Sequence, residues 1–203
     1  MGIFDLFTNR RDRDAVYRLY AQIVGQARSP EFYNLCGVPD TVAGRFDLIG
    51  LHAYLVMRRL KEMDDQRGAD LSQRLFDVMF ADMDRNLREM GVGDLSVGKK
   101  VKALAKSFYG RIKAYDDGLA GGQGDLEQAL RRNLFLEGDP ADYQVSRMAA
   151  YLRESVAASS QWSIEQLEQG LPQFNLPPAT ATADASSPSE GSDQAAESAK
   201  RPA

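Results

Sequence analysis

The segment from Val42 to Leu60 constrains the fold most. At about 100° per residue it is apolar on two opposite faces. Val42, Phe46, Ile49, Ala53, Met57 and Leu60 form one face, and Leu48, Leu51 and Leu55 the other. A helix with two apolar faces is stable between two packed layers, so the spacing predicts a central helix surrounded by others. Two polar stripes separate the faces. Arg45, His52 and Arg59 recur every seven residues along one stripe; Asp47, Tyr54 and Arg58 form the other. The basic stripe has two readings. It faces a cleft suited to an acidic segment or an anionic head group, or it pairs with acids of neighbouring helices, as buried charge normally does.

The rest of the chain reads as helices. Asn9 or Thr8 caps a first helix carrying Val16, Leu19, Ile23 and Ala27 on its apolar side, and Ser29-Pro30 stops it. Residues 31–39 read as a loop. Asp40 or Thr41 caps the central helix, which runs to Met63. Gly68 and Asp70 start a third helix that ends at Gly91. Ser96 caps a fourth, with Val97, Val101, Leu104, Phe108, Ile112, Tyr115 and Leu119 on one stripe. Lys99, Lys102, Lys106 and Lys113 lie on its far side, flanked by Lys100 and Arg111. That face is either solvated or makes an electrostatic contact with a ribosome, RNA or an anionic membrane. No aromatics interleave with these lysines, so base stacking is not expected. A fifth helix starts at Asp125, a sixth at Pro140, and a short last one follows Ser163. No stretch alternates with period two, so no sheet is expected. From Pro172 onward, prolines stand among Ala, Ser, Thr and acids, and no aromatic follows Phe174. Such a segment buries too little apolar surface to offset its ordering entropy. The expected architecture is all-α: a single multi-helix bundle over residues 1–171 with a buried central helix, then a disordered tail over residues 172–203.

Function classes narrow by exclusion. The net charge of −4 gives no general attraction to DNA. Cys36 and His52 are the only cysteine and histidine, so an internal disulfide, a cysteine-based zinc site and any site that needs two histidines are excluded. No serine or cysteine has an evident base, and no glycine-rich loop follows a strand. Neither a catalytic residue nor a cofactor is therefore expected. Asp64, Asp65 and Asp70 offer carboxylates for magnesium on an isoprenoid diphosphate, but Gly68 interrupts the run and no matching second group follows. No apolar run is long enough to cross a membrane. The start of the chain is too short for a secretory signal, and Asp5, Asp12 and Asp14 argue against a mitochondrial presequence. A complete, cytoplasmic chain is expected. Ile3, Phe4, Leu6 and Phe7 followed by Arg10, Arg11 and Arg13 suit a peripheral place at the inner membrane.

Four stretches carry a resemblance. They are Val38-Pro39-Asp40-Thr41-Val42-Ala43-Gly44-Arg45-Phe46-Asp47, Leu55-Val56-Met57-Arg58-Arg59-Leu60, the run from Met90 to Lys99, and the run from Phe108 to Tyr115. In this order and spacing the chain resembles the ubiquinol–cytochrome c chaperone family over residues 29–167, as a bacterial-type member. The resemblance implies a non-enzymatic factor that assembles the cytochrome bc1 complex and acts on newly made cytochrome b, near the ribosome and with a small partner protein. Its motif positions offer Arg45, Arg59, Tyr109 and Arg111 for polar contact with a client or head group, and Phe46, Phe108 and Tyr115 for packing or lining a groove; His52, from the basic stripe of the central helix, completes the candidate client- or ligand-binding set. Pro39, Gly44, Gly91, Gly93 and Gly110 are expected to serve backbone geometry or close packing. A carrier or sensor of a lipid or quinone is the alternative that an all-helical core also allows.

Overall fold

The computed structural model describes residues 10–122 and 124–178. The N-terminal residues Ile3, Phe4, Leu6 and Phe7, the caps expected at Thr8 or Asn9, and the tail from residue 179 lie outside them. Eight helices occur among the described residues: α1 (Arg10–Ala27), α2 (Pro30–Asn34), α3 (Val42–Glu62), α4 (Gln66–Glu89), α5 (Asp94–Ala120), α6 (Asp125–Asn133), α7 (Asp142–Ser159) and α8 (Ile164–Glu168).

The central helix is α3. Every residue from Gly50 to Val56 is buried. Its two apolar faces serve two cores. Leu48, Leu51 and Leu55 pack with α2, α6, α7 and the end of α5. Ala53, Val56 and Leu60 pack with α1, α4, α8 and the middle of α5. Thus α3 is the shared wall, with α1 and α4 on one side and α7 on the other, while α5 and α6 close the bundle.

Local chemistry sets the helix ends. The Thr41 hydroxyl accepts the Gly44 N–H at 3.0 Å, so Thr41, not Asp40, caps α3. Asp65 caps α4 by accepting the Arg67 N–H, starting that helix before Gly68. Asp94 opens α5 with Gly93 at the cap, ahead of Ser96. Pro30 does not end structure as expected. It opens α2, where a proline at the first helical position loses no hydrogen bond, and it places Phe32 fully in the core. Gly44 lies so close to the preceding loop that a Cβ would sit 2.1 Å from the Pro39 carbonyl oxygen. Gly91 has φ +81°, which reverses the chain after α4.

The boundary expected at 171/172 falls inside a packed segment. Phe174 stands edge-on to Trp162 and His52, at ring centroid distances of 5.4 Å in each case. Pro172 and Pro177 are buried, and Gln26 donates to the Asn175 carbonyl. Composition placed these residues in the tail, but one aromatic with a slot between α3 and the α7–α8 turn suffices to hold them. Among the described residues, no helix is long and apolar enough to cross a membrane.

Candidate functional site

A groove of about 920 Å³ runs between the C-terminal half of α3, the N-terminal half of α4 and the middle of α5. Met57, Leu60, Phe76 and Ile112 give it an apolar floor. Lys61, Glu62, Asp64, Asp65 and Asp116 charge its rim. Tyr109 stands at one edge, 58% exposed, with its ring stacked on Phe76 at 5.5 Å. Beneath them Phe108 is buried against Phe76 and Phe80. One wall is fixed by a polar network. Tyr54 donates to Asp116 at 2.8 Å, and Arg58 pairs with Asp116 at 2.6 Å and Glu62 at 3.0 Å. That wall of the groove is therefore fixed by side chains already paired with each other, beside an apolar floor.

The eight candidate residues do not converge on this groove. Tyr109 lines it and Phe108 supports its floor. Arg45 is exposed and pairs with Asp40 at 2.6 Å at the start of α3. Arg59 donates from Nε and Nη2 to the Trp162 carbonyl, both at 3.1 Å, clamping the α7–α8 turn. His52 is fully buried. Its Nδ1 lies 2.8 Å from the Leu48 carbonyl, which only accepts, so the proton sits on Nδ1 and Nε2 accepts from the Tyr151 hydroxyl at 2.8 Å. All three members of the basic stripe are thus partnered within the fold.

Phe46, Arg111 and Tyr115 lie together at the junction of α3 and α5. The Arg111 guanidinium is 2.6 Å from the Asp47 carboxylate, with side chains only 11% and 8% exposed, and it sits over the Phe46 ring. The Tyr115 hydroxyl is buried beside them without a partner among the described residues. Burial pushes the Asp47 carboxyl up to about 6, against the opposing pull of Arg111. Sequence spacing put Asp47 on the second polar stripe but gave no sign that its partner stood on α5. Phe76 and Met57 were not singled out for the site either. The one available signal was the i,i+4 pair Phe76 and Phe80 on α4.

The three aspartates considered for magnesium do not gather. Asp64 takes a left-handed turn with φ 51°, Asp65 caps α4, and Asp70 accepts from Gln66. Among the described residues no three His, Cys, Asp or Glu side chains form a metal-type cluster.

Burial drives the His52 imidazole down to about 4, since the charged form cannot be solvated there. Its folded value lies below the unfolded one, so the unfolded chain takes up the proton first as pH falls. The stability contributed by neutral His52 is present above about pH 6.5 and is lost as pH drops toward 4. His52→Gln, which keeps a donor and an acceptor, is expected to remove about 2–3 kcal/mol of the loss seen between pH 7 and pH 4.5. Urea unfolding at the two pH values measures it. An acid limb unchanged in the variant would contradict this assignment.

The family model described as ubiquinol–cytochrome c chaperone matches residues 34–174. The chain belongs to this chaperone family. Its match takes in the central helix, the groove and Phe174. A ubiquinol–cytochrome c reductase complex assembly factor of Xenopus laevis is 25% identical over 142 residues, 70% of each chain. The human counterpart is 25% identical over 142 residues, which is 70% of this chain and 47% of that protein. The mitochondrial protein CBP3 of Saccharomyces cerevisiae is 32% identical over 106 residues, 51% of this chain and 32% of that one. The chain thus spans about half the human relative's length and a third of the yeast one. Among solved structures, the Cbp3 homolog from Brucella abortus superposes with a TM-score of 0.71 at 33% identity, covering 82% of this chain and 92% of that one.

Proposed function

We propose that this chain is a non-enzymatic assembly chaperone for the ubiquinol–cytochrome c reductase (cytochrome bc1) complex. In this reading it holds an apolar segment of a newly made subunit, such as cytochrome b, in the α3–α4–α5 groove. The carrying observation is the groove itself, in a member of this chaperone family: an apolar floor within a charged rim, one wall fixed by internal ion pairs. An apolar helix awaiting insertion loses exposed apolar surface on such a floor, at about 25 cal/mol per Å². The charged rim keeps the empty groove from binding a second copy indiscriminately. A lipid or quinone carrier calls for an enclosed cavity, whereas Lys61, Glu62, Asp64 and Tyr109 along this groove are exposed to solvent.

The test is complementation in the chain's own host. Deleting the gene is expected to lower assembled bc1 complex, and the native gene to restore it. Met57→Asp/Tyr109→Asp, which charges the groove at one half-buried and one exposed position, is expected to stay at the level of the deletion strain while its urea midpoint shows a folded protein. Normal complex without the gene, or full restoration by the folded variant, would overturn the proposal.

A further inference from the structure

The outer face of α5 carries charge that the fold does not use. Residues 96–113 hold five lysines and one arginine with no acid, in a chain whose net charge is −4. Arg111 points inward to Asp47, and Lys113 pairs with Asp117 on its own helix. Lys99, Lys100, Lys102 and Lys106 are exposed, and among the described residues none has an ion-pair partner. The spacing puts Lys99, Lys102, Lys106 and Lys113 along one side of the helix, over about 21 Å of axis at 1.5 Å per residue. Exposed Tyr109 falls on the same side, three residues from Lys106 and four from Lys113. The expectation that no aromatic interleaves with these lysines is therefore corrected. Between the lysines stand Ala103, Ser107 and Gly110, all exposed. No side chain there rises above the ammonium groups, so they reach a flat surface together.

We propose that this face of α5 docks the protein on an anionic lipid bilayer through the phosphate head groups. A plane is the surface that a straight row of flexible lysines fits. Lysine stems run along apolar surface while their ammonium groups stay wet, and a tyrosine rests at the head-group level with its ring inward and its hydroxyl in water. Single-stranded RNA calls for several stacking aromatics and planar arginines, and this face offers one aromatic and no exposed arginine. Bilayer docking does not depend on what fills the groove; Tyr109 borders both surfaces, and the lysine variant below leaves every groove residue in place.

The experiment is co-sedimentation of the full chain with two kinds of vesicle, phosphatidylcholine alone and phosphatidylcholine with one-third phosphatidylglycerol. The native chain is expected to bind the anionic vesicles and not the neutral ones, and to leave them as salt is raised. Lys99→Gln/Lys102→Gln/Lys106→Gln is expected to lower the partition coefficient about a hundredfold, since each lysine near such a surface is worth roughly fivefold. Arg28→Gln/Arg85→Gln/Arg132→Gln removes the same charge elsewhere, at exposed positions off α5, and is expected to lose far less. Urea midpoints establish that both variants fold. The proposal is overturned if the native chain ignores anionic vesicles at low salt, or if the two variants lose binding equally. It is also overturned if the native chain retains a single-stranded RNA oligonucleotide at a salt concentration where it releases the vesicles.

Discussion

Arg111→Ala is expected to destabilise the protein by about 3–5 kcal/mol at pH 7.5, because it strands a carboxylate that is nine-tenths buried. The Asp47–Arg111 pair joins the start of α3 to the middle of α5, so its loss loosens two of the three helices that form the groove. The pH dependence identifies the cause. Asp47 already titrates near 6 with Arg111 in place, above its ordinary value of 3.8. Without the guanidinium its folded value rises further. A carboxyl raised in the folded state penalises folding above that value, and the penalty fades as pH falls toward the unfolded value. The cost of Arg111→Ala should therefore be about 1–2 kcal/mol smaller at pH 5 than at pH 7.5. Asp47→Leu/Arg111→Met, which removes both charges and keeps the volume, should lose much less than Arg111→Ala. Urea unfolding of the three proteins at both pH values measures this. A loss below about 1 kcal/mol at pH 7.5 would mean that the pair behaves as a solvated surface bridge.

Gly44→Ala is the second large effect expected. The new Cβ would lie 2.1 Å from the Pro39 oxygen and 3.1 Å from its carbonyl carbon, both backbone atoms that cannot rotate away. Either residues 39–41 or the first turn of α3 must shift. That shift breaks the Thr41 cap at Gly44 and the bond from Thr41 to Glu137. A cost of about 3 kcal/mol or more is expected, the upper end for an overpacked site with a lost cap. Gly110→Ala is its opposite. A Cβ there meets nothing within 4 Å, and an interior helical glycine costs about 1 kcal/mol relative to alanine. The substitution should therefore raise the thermal midpoint. The same sign for both substitutions would contradict the packing described around α3.

These two glycines show how far sequence reading reached. Both sit in the stretches that carry the family resemblance, and both were expected to serve geometry or packing. Only Gly44 does, because the need for a missing side chain comes from the neighbour, here the Pro39 carbonyl, and spacing along one helix does not reveal neighbours. The architecture was legible for the converse reason. Two apolar faces on one helix require two cores, and Leu48, Leu51 and Leu55 do pack in a different core from Ala53 and Leu60. The basic stripe was legible as a stripe but not as a function. Its partners are Asp40, Tyr151 and the Trp162 carbonyl, two of them about a hundred residues away. The groove was hidden because it is made of three helices, each contributing two or three residues that look like ordinary core from their own sequence. Phe174 was misplaced because composition averages over a window, and one aromatic in a proline-rich window carries little weight until its slot beside Trp162 is seen.

The most direct measurement places a photo-crosslinking amino acid at Tyr109, on the edge of the groove, and separately at Tyr17, an exposed tyrosine on α1. Each is expressed in the native host in place of the chromosomal copy, and the adducts are identified after irradiation. If the groove holds an apolar segment of a bc1 subunit, position 109 yields an adduct with that subunit, cytochrome b foremost, and position 17 does not. Adducts from position 17 with none from position 109 would contradict the assignment of the groove as the client site.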